Sequence, residues 1–125
     1  DIENNQAVAV RRDELEKEAV SLDNLEEAVE KLLQDINHNL LYKARNMRDK
    51  KTYTIKTFDE MKEIMDKQPG FVKAMWCGEE ECEENIKDET GVTIRCIPFE
   101  QENLGDKCAF CSREAKHMVY LARAY

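Results

Sequence analysis

Four cysteines stand in two short pairs, Cys77-x4-Cys82 and Cys108-x2-Cys111, and a fifth, Cys96, lies between them. Pairs this close let two sulfurs on one turn point at the same ion, and a structural zinc site needs four soft ligands at about 2.3 Å in a tetrahedron. Both pairs fall at turns in the hydropathy pattern, where backbone N–H groups also face the sulfurs. Cys82 belongs to the first turn of an expected helix, where the helix dipole favours a thiolate. A metal clip between Cys82 and Cys108 would close a long loop in a domain with few other staples. Four thiolates leave no open coordination position, so such a zinc is structural and not catalytic.

The spacing favours that reading over two others. A redox pair is the first alternative, but the thioredoxin-type CxxC opens a helix after a strand, and "CAFC" precedes a strand. Two disulfides or free thiols are the second, and an odd cysteine count weakens a disulfide framework. Iron on four thiolates is chemically possible, so zinc rests on common usage. Cys96, on one strand face with Val92 and Ile94, is expected to be a small buried core residue. His117 opens the last strand beside the metal loop and His38 lies among polar helix neighbours. With four cysteines filling the shell, neither is needed as a ligand. The run "EEECEEN" (79–85) places Glu79, Glu80, Glu81, Glu83 and Glu84 beside the first pair. Carboxylate pairs can do acid–base work, but acids on a first helical turn are expected for dipole reasons. We expect a solvated face. There is no Gly-rich phosphate loop, nucleophile elbow or HExxH.

Several elements must position these residues. "TYTI" from residue 52 reads as a strand. "TFDE" (57–60) is a capping box that opens a helix with Phe58, Met61, Ile64 and Met65 inward, and Pro69-Gly70 ends it. "FVKAMW" (71–76) is an apolar, central strand. A helix from about 79 to 90 follows, with Gly91 as its C-terminal cap. "VTIRCIPF" (92–99) is a third strand and "KHMVYLARAY" a fourth. The β-α-β-α-β-β order predicts a two-layer α+β sandwich with a mixed sheet and metal-binding loops. Upstream, residues 7–12 pair with about 17–21 as a hairpin, too small to stand alone. Between hairpin and sandwich, Asp23 with Glu26 reads as a capping signal. Leu25, Val29, Leu32, Leu33, Ile36, Leu40, Ala44 and Met47 form an apolar stripe on a helix of roughly 38 Å. Lys43, Arg45, Arg48, Lys50 and Lys51 crowd its C-terminal end, as the dipole prefers. A connector between modules and a helix lying on its own domain both fit this pattern.

The chain has 125 residues, 37% of them charged. Its net charge of -8 argues against general binding of polyanions, which needs clustered Lys and Arg. No apolar run is long enough to cross a bilayer. The start carries no export signal and no initiator Met, so we expect a fragment or processed chain from the reducing cytosol.

Longer strings are more specific than the cysteine spacing. "VAVRRD", "FVKAMWCGEEECEENIKDETGVTIRCIPF", "CAFC" and the terminal "AKHMVYLARAY" resemble the C-terminal part of prolyl-tRNA synthetases, in the form found in archaea, eukaryotes and some bacteria. The resemblance covers essentially the whole chain. It implies residues 1–22 as the tail of an anticodon-binding domain, 23–50 as a linking helix and 51–125 as a zinc-binding C-terminal domain. It implies Cys77, Cys82, Cys108 and Cys111 as zinc ligands and Tyr125 as the terminal tyrosine whose chain end reaches toward the active site. The family charges tRNA(Pro) with proline, using ATP and magnesium, through a prolyl-adenylate. It does so as a dimer, with catalytic motifs that lie outside these residues. The fragment alone is then expected to be inactive and to dock on its own catalytic and anticodon-binding domains. The chain departs from the family at Glu14-Leu15, where Thr-Gly is frequent, which leaves the hairpin turn open. The competing readings are a free-standing zinc-stabilised interaction module and a small thiol–disulfide enzyme using "CAFC".

Overall fold

The computed structural model describes residues 2–124, and it divides into two compact units, Asp1–Met47 and Arg48–Tyr125. In the first unit β1 (Gln6–Val10) pairs antiparallel with β2 (Lys17–Ser21), in the register Val8↔Ala19. The hairpin loop closes through Arg11 N–H to the Glu16 carbonyl at 2.9 Å and Leu15 N–H to the Arg11 carbonyl at 2.8 Å. Leu15 takes a φ of +62°, a left-handed conformation that glycine adopts without strain. That is the physical content of the Glu14-Leu15 departure. The following helix does not start on Asp23. Ser21 caps a single 3-10 turn, Leu22–Asn24, by accepting a hydrogen bond from Asp23 N–H at 3.3 Å. The helix α1 (Leu25–Lys50) continues from that turn. A tighter turn before the helix shifts the cap two residues upstream of the expected one.

On the part of α1 in this unit, Ile36 is the buried member of the apolar stripe, whereas Leu33, Leu40 and Met47 are exposed. A polar cluster ties the helix to the hairpin turn. Arg11 and Asn39 both donate to the Asp13 carboxylate, Asn39 at 2.6 Å, and Lys43 pairs with Glu14 at 3.2 Å. These donors hold the Asp13 carboxyl well below its ordinary pKa, Arg11 contributing most.

The second unit is the expected sandwich. Its elements are β3 (Thr52–Thr54), α2 (Phe58–Lys67), β4 (Phe71–Trp76), α3 (Glu80–Thr90), β5 (Val92–Cys96) and β6 (His117–Arg123). The sheet order is β3-β4-β6-β5, with β3 parallel to β4 and β6 antiparallel to both of its neighbours. The last strand thus inserts between two strands laid down earlier. Val72 and Ala74 of β4, Val119 and Leu121 of β6, and Val92 bury one sheet face against Met61 and Met65 of α2 and Ile86 of α3. Thr57 caps α2 by accepting from Glu60 N–H at 3.3 Å, and the Glu60 carboxylate accepts from Lys56 N–H at 2.8 Å. The capping box is therefore present, with its return bond one residue earlier than the standard form. Gly91, at φ +68°, ends α3.

Two expectations on β5 are corrected. The strand ends at Cys96, not Phe99, and Cys96 is exposed, not a core residue. The cause is a β-bulge. Ile94 stands opposite Leu121, but Cys96 stands opposite Tyr120, so two steps on β5 match one on β6. A bulge reverses the side-chain alternation beyond it. Cys96 is thereby turned to the reverse face, where it lines an open cavity of about 590 Å³ with Lys73 and Tyr120. Beyond Cys96 the side chain of Gln101 replaces the strand. Its amide accepts from Met118 N–H at 2.6 Å and donates to the Met118 carbonyl at 3.2 Å.

Candidate metal centre

The first cysteine pair is built by the exit of β4 and the entrance of α3. Cys77 directly follows Trp76, and Gly78 turns the chain at φ +86°. Glu79 caps the helix, and its carbonyl accepts from Cys82 N–H at 3.1 Å. A β-carbon on Gly78 would meet Lys116 and the His117 ring at 3.4–3.7 Å while holding a left-handed backbone.

The second pair lies on a tight ribbon. Lys107 and Glu114 form an antiparallel bridge. Within it, Cys108 N–H donates to the Arg113 carbonyl at 2.8 Å and Ser112 N–H to the Cys108 carbonyl at 3.1 Å. Ser112 sits at φ +61°, which reverses the chain after Cys111. Two further bonds register this ribbon on β4, Ala109 N–H to the Met75 carbonyl at 2.9 Å and Lys116 N–H to the Trp76 carbonyl at 2.8 Å. The backbone that ends β4 therefore positions both pairs.

All four ligand sulfurs lie within 4.8 Å of one another. Two contacts cross between the pairs, Cys77 to Cys111 at 3.6 Å and Cys82 to Cys108 at 3.8 Å. A tetrahedron with bonds of about 2.3 Å has edges of about 3.8 Å. Cys77, Cys82 and Cys108 are buried, and Cys111 closes the cluster at the surface. Burial pushes the Cys77 and Cys82 thiols up, because a bare thiolate is poorly solvated there. Burial also works against the Cys111 thiolate, but the Arg113 backbone N–H and the neighbouring thiols outweigh it and lower that pKa. Four sulfurs this close together, two of their separations matching a tetrahedral edge and three of them buried, suit a divalent soft cation. Among the described residues no other group of His, Cys, Asp or Glu gathers in this way.

The charged neighbours are occupied with one another. Lys116 pairs with Glu79 at 3.0 Å and Arg113 approaches Glu81 at 3.8 Å. The acid run next to the first pair is thus a solvated, ion-paired helix start, as expected. His38 is exposed, and His117 begins β6 with its ring 6.3 Å from that of Trp76. Tyr125 lies outside the described residues. Sequence reasoning missed Gly78, whose left-handed turn shapes the first pair, and Gln101. A glycine directly after a cysteine was an available signal for the first. Nothing local marks a glutamine as a strand substitute.

The fold and the cluster together define a small α+β domain with a mixed sheet and a four-cysteine cluster at the end of that sheet. The chain belongs to the prolyl-tRNA synthetase family. The family model described as "Prolyl-tRNA synthetase, C-terminal" matches residues 58–125. A proline–tRNA ligase of Alkaliphilus oremlandii is 79% identical over the whole chain, and one of Acetoanaerobium sticklandii is 58% identical. The chain spans 26% of the length of each. A crystal structure of prolyl-tRNA synthetase from Cryptosporidium parvum, complexed with L-proline and AMP, matches all of this chain and 27% of that one, with a TM-score of 0.92 at 33% identity.

Proposed function

We propose that this chain is the C-terminal part of a proline–tRNA ligase, and that it serves the enzyme by structure and placement. In the intact protein, proline would be activated with ATP and magnesium to prolyl-adenylate and then transferred to tRNA(Pro). The 79% identity to a proline–tRNA ligase across the whole chain carries this reading. Cys77, Cys82, Cys108 and Cys111 would hold one zinc ion, which clamps the ribbon before β6 to the end of β4. No catalytic or nucleotide-binding motif falls in these residues, so we assign the chemistry to the rest of the ligase.

The domain reading is residues 1–22 as the tail of an anticodon-binding domain, 23–50 as a linking helix and 51–125 as the zinc-binding domain. The exposed apolar stripe on α1 supports the linking role, since it leaves a face for other parts of a larger protein. We place the intact enzyme in the cytoplasm as a dimer. No helix among the described residues is long and apolar enough to cross a membrane. Strand β6 runs to Arg123, two residues short of Tyr125, and a rigid strand would hold Tyr125 toward the active site.

A graft tests the assignment. The Alkaliphilus ligase carrying this chain in place of its matching quarter should charge tRNA(Pro), and the 125-residue chain alone should not. A graft that folds but does not charge would refute the ligase reading. Deleting Tyr125 from the graft should slow adenylate formation, and unchanged pyrophosphate exchange would remove that role.

A further inference from the structure

Past Cys96 the chain leaves the sheet as Ile97-Pro98-Phe99. Phe99 is fully solvated, at 107% relative exposure, and Ile97 is 49% exposed. A single exposed apolar side chain is ordinary. Two in three residues, one of them a wholly exposed phenylalanine, form a contact surface in search of a counterpart.

The arc that carries them is not loose. Gln101 makes both of its ladder-like bonds to Met118 and also donates to the Pro98 carbonyl at 2.7 Å. Next to it, both Glu102 oxygens accept from the Lys73 ammonium, at 2.6 and 2.7 Å. Pro98 fixes its own φ and confines Ile97 to extended backbone. The chain is therefore held at Cys96 by β6 and again at Gln101 and Glu102, with Phe99 at the crest between. An aromatic anchor already fixed in its presented position loses little freedom on binding. Glu100, exposed and next to Phe99 in the chain, adds one negative charge to this arc.

We propose that Ile97-Pro98-Phe99 is a docking plug, and that Phe99 seats in an apolar socket with a basic rim on the remainder of the same ligase polypeptide. The inference rests on the ligase reading, and it names the surface through which this domain attaches. The relatives carry about three quarters of their length outside the matched segment, so a large tethered body is at hand. Tethering raises the effective concentration of a socket into the millimolar range, where one aromatic anchor and a few neighbours suffice. A free partner would need a far larger contact than three residues supply.

The test uses the grafted Alkaliphilus ligase with Phe99→p-benzoylphenylalanine, a photo-crosslinker. Irradiation should link position 99 to residues of the same polypeptide outside this chain, as read by mass spectrometry of the digested monomer band. Links only to a second copy, only to tRNA, or only quenching by solvent would each overturn the plug. In parallel, Phe99→Ser should leave the melting temperature of the 125-residue chain unchanged, and should raise hydrogen exchange across 97–103 at least fivefold in the graft. An equal effect in the short chain would make Phe99 an internal packing residue and refute the proposal. Charging by the unsubstituted graft reports on the ligase reading alone. A charging graft that crosslinks elsewhere sinks the plug and spares that reading.

Discussion

Cys77 and Cys111, 34 residues apart in sequence, hold their sulfur atoms 3.6 Å from each other. The contact spans the exit of β4 and the ribbon before β6, so it joins the two strands that lie side by side at the centre of the sheet. A metal held here would reinforce the backbone hydrogen bonds that fasten the ribbon, and with it the start of the last strand, to the end of β4. The chain should bind about one zinc per molecule. Cys108→Ser should abolish stoichiometric binding and cost about 4 kcal/mol or more, the range reserved for lost metal clips. Elemental analysis with denaturant melts checks both. Since burial keeps the Cys77 and Cys82 thiols protonated in the metal-free chain, zinc uptake at pH 7 should release protons. Calorimetry in buffers of different ionisation enthalpy reads that release directly.

Cys96 should behave as the exception among the cysteines. With zinc bound it should be the thiol that reacts readily with a disulfide reagent, and chelation should expose the others. Cys96→Ser should change stability by no more than about 0.5 kcal/mol, as for other surface positions. A loss typical of a core residue would contradict the bulge.

Gly70, directly before β4, packs against Lys51, directly before β3. A β-carbon there would lie 2.2 Å from the Lys51 carbonyl oxygen, which accepts from Phe71 N–H at 2.8 Å. Gly70→Ala should therefore cost on the order of 2 kcal/mol or more, since backbone must move to relieve the clash. Thermal unfolding of the variant is the check, and a neutral result would show that the two strands can separate freely.

Asp13 should titrate far below an ordinary aspartate. Its folded pKa is depressed by Arg11 and then by Asn39. The stability it contributes is present above the ordinary value of 3.8 and is lost only as pH falls from there through the lower folded value. Carbon-detected NMR titration should find no Asp13 midpoint near 3.8. Asp13→Asn should flatten the acid limb of the hairpin's unfolding profile.

Much of the second unit was legible because its signals are local. Thr57 with Glu60, Gly91 and the apolar run at 71–76 each act within one turn or strand, and the helices and strands formed where those residues pointed. The bulge at Arg95 was not legible. Alternation in "VTIRC" is the same with or without an extra residue, and only pairing with β6 reveals which step is doubled. The Ser21 cap in place of Asp23 has a similar origin, since both residues are good caps and the hairpin's end decides between them.

The sequence by itself determined the family, the four cysteines and the order of elements, because motif strings, ligand types and hydrophobic periods are properties of the chain read in line. Tertiary structure alone decided which cysteines touch, which face Cys96 occupies and where Phe99 is presented. Those depend on β6 entering between β4 and β5, a pairing between residues far apart in sequence. Its register is set by backbone hydrogen bonds that no side-chain pattern records.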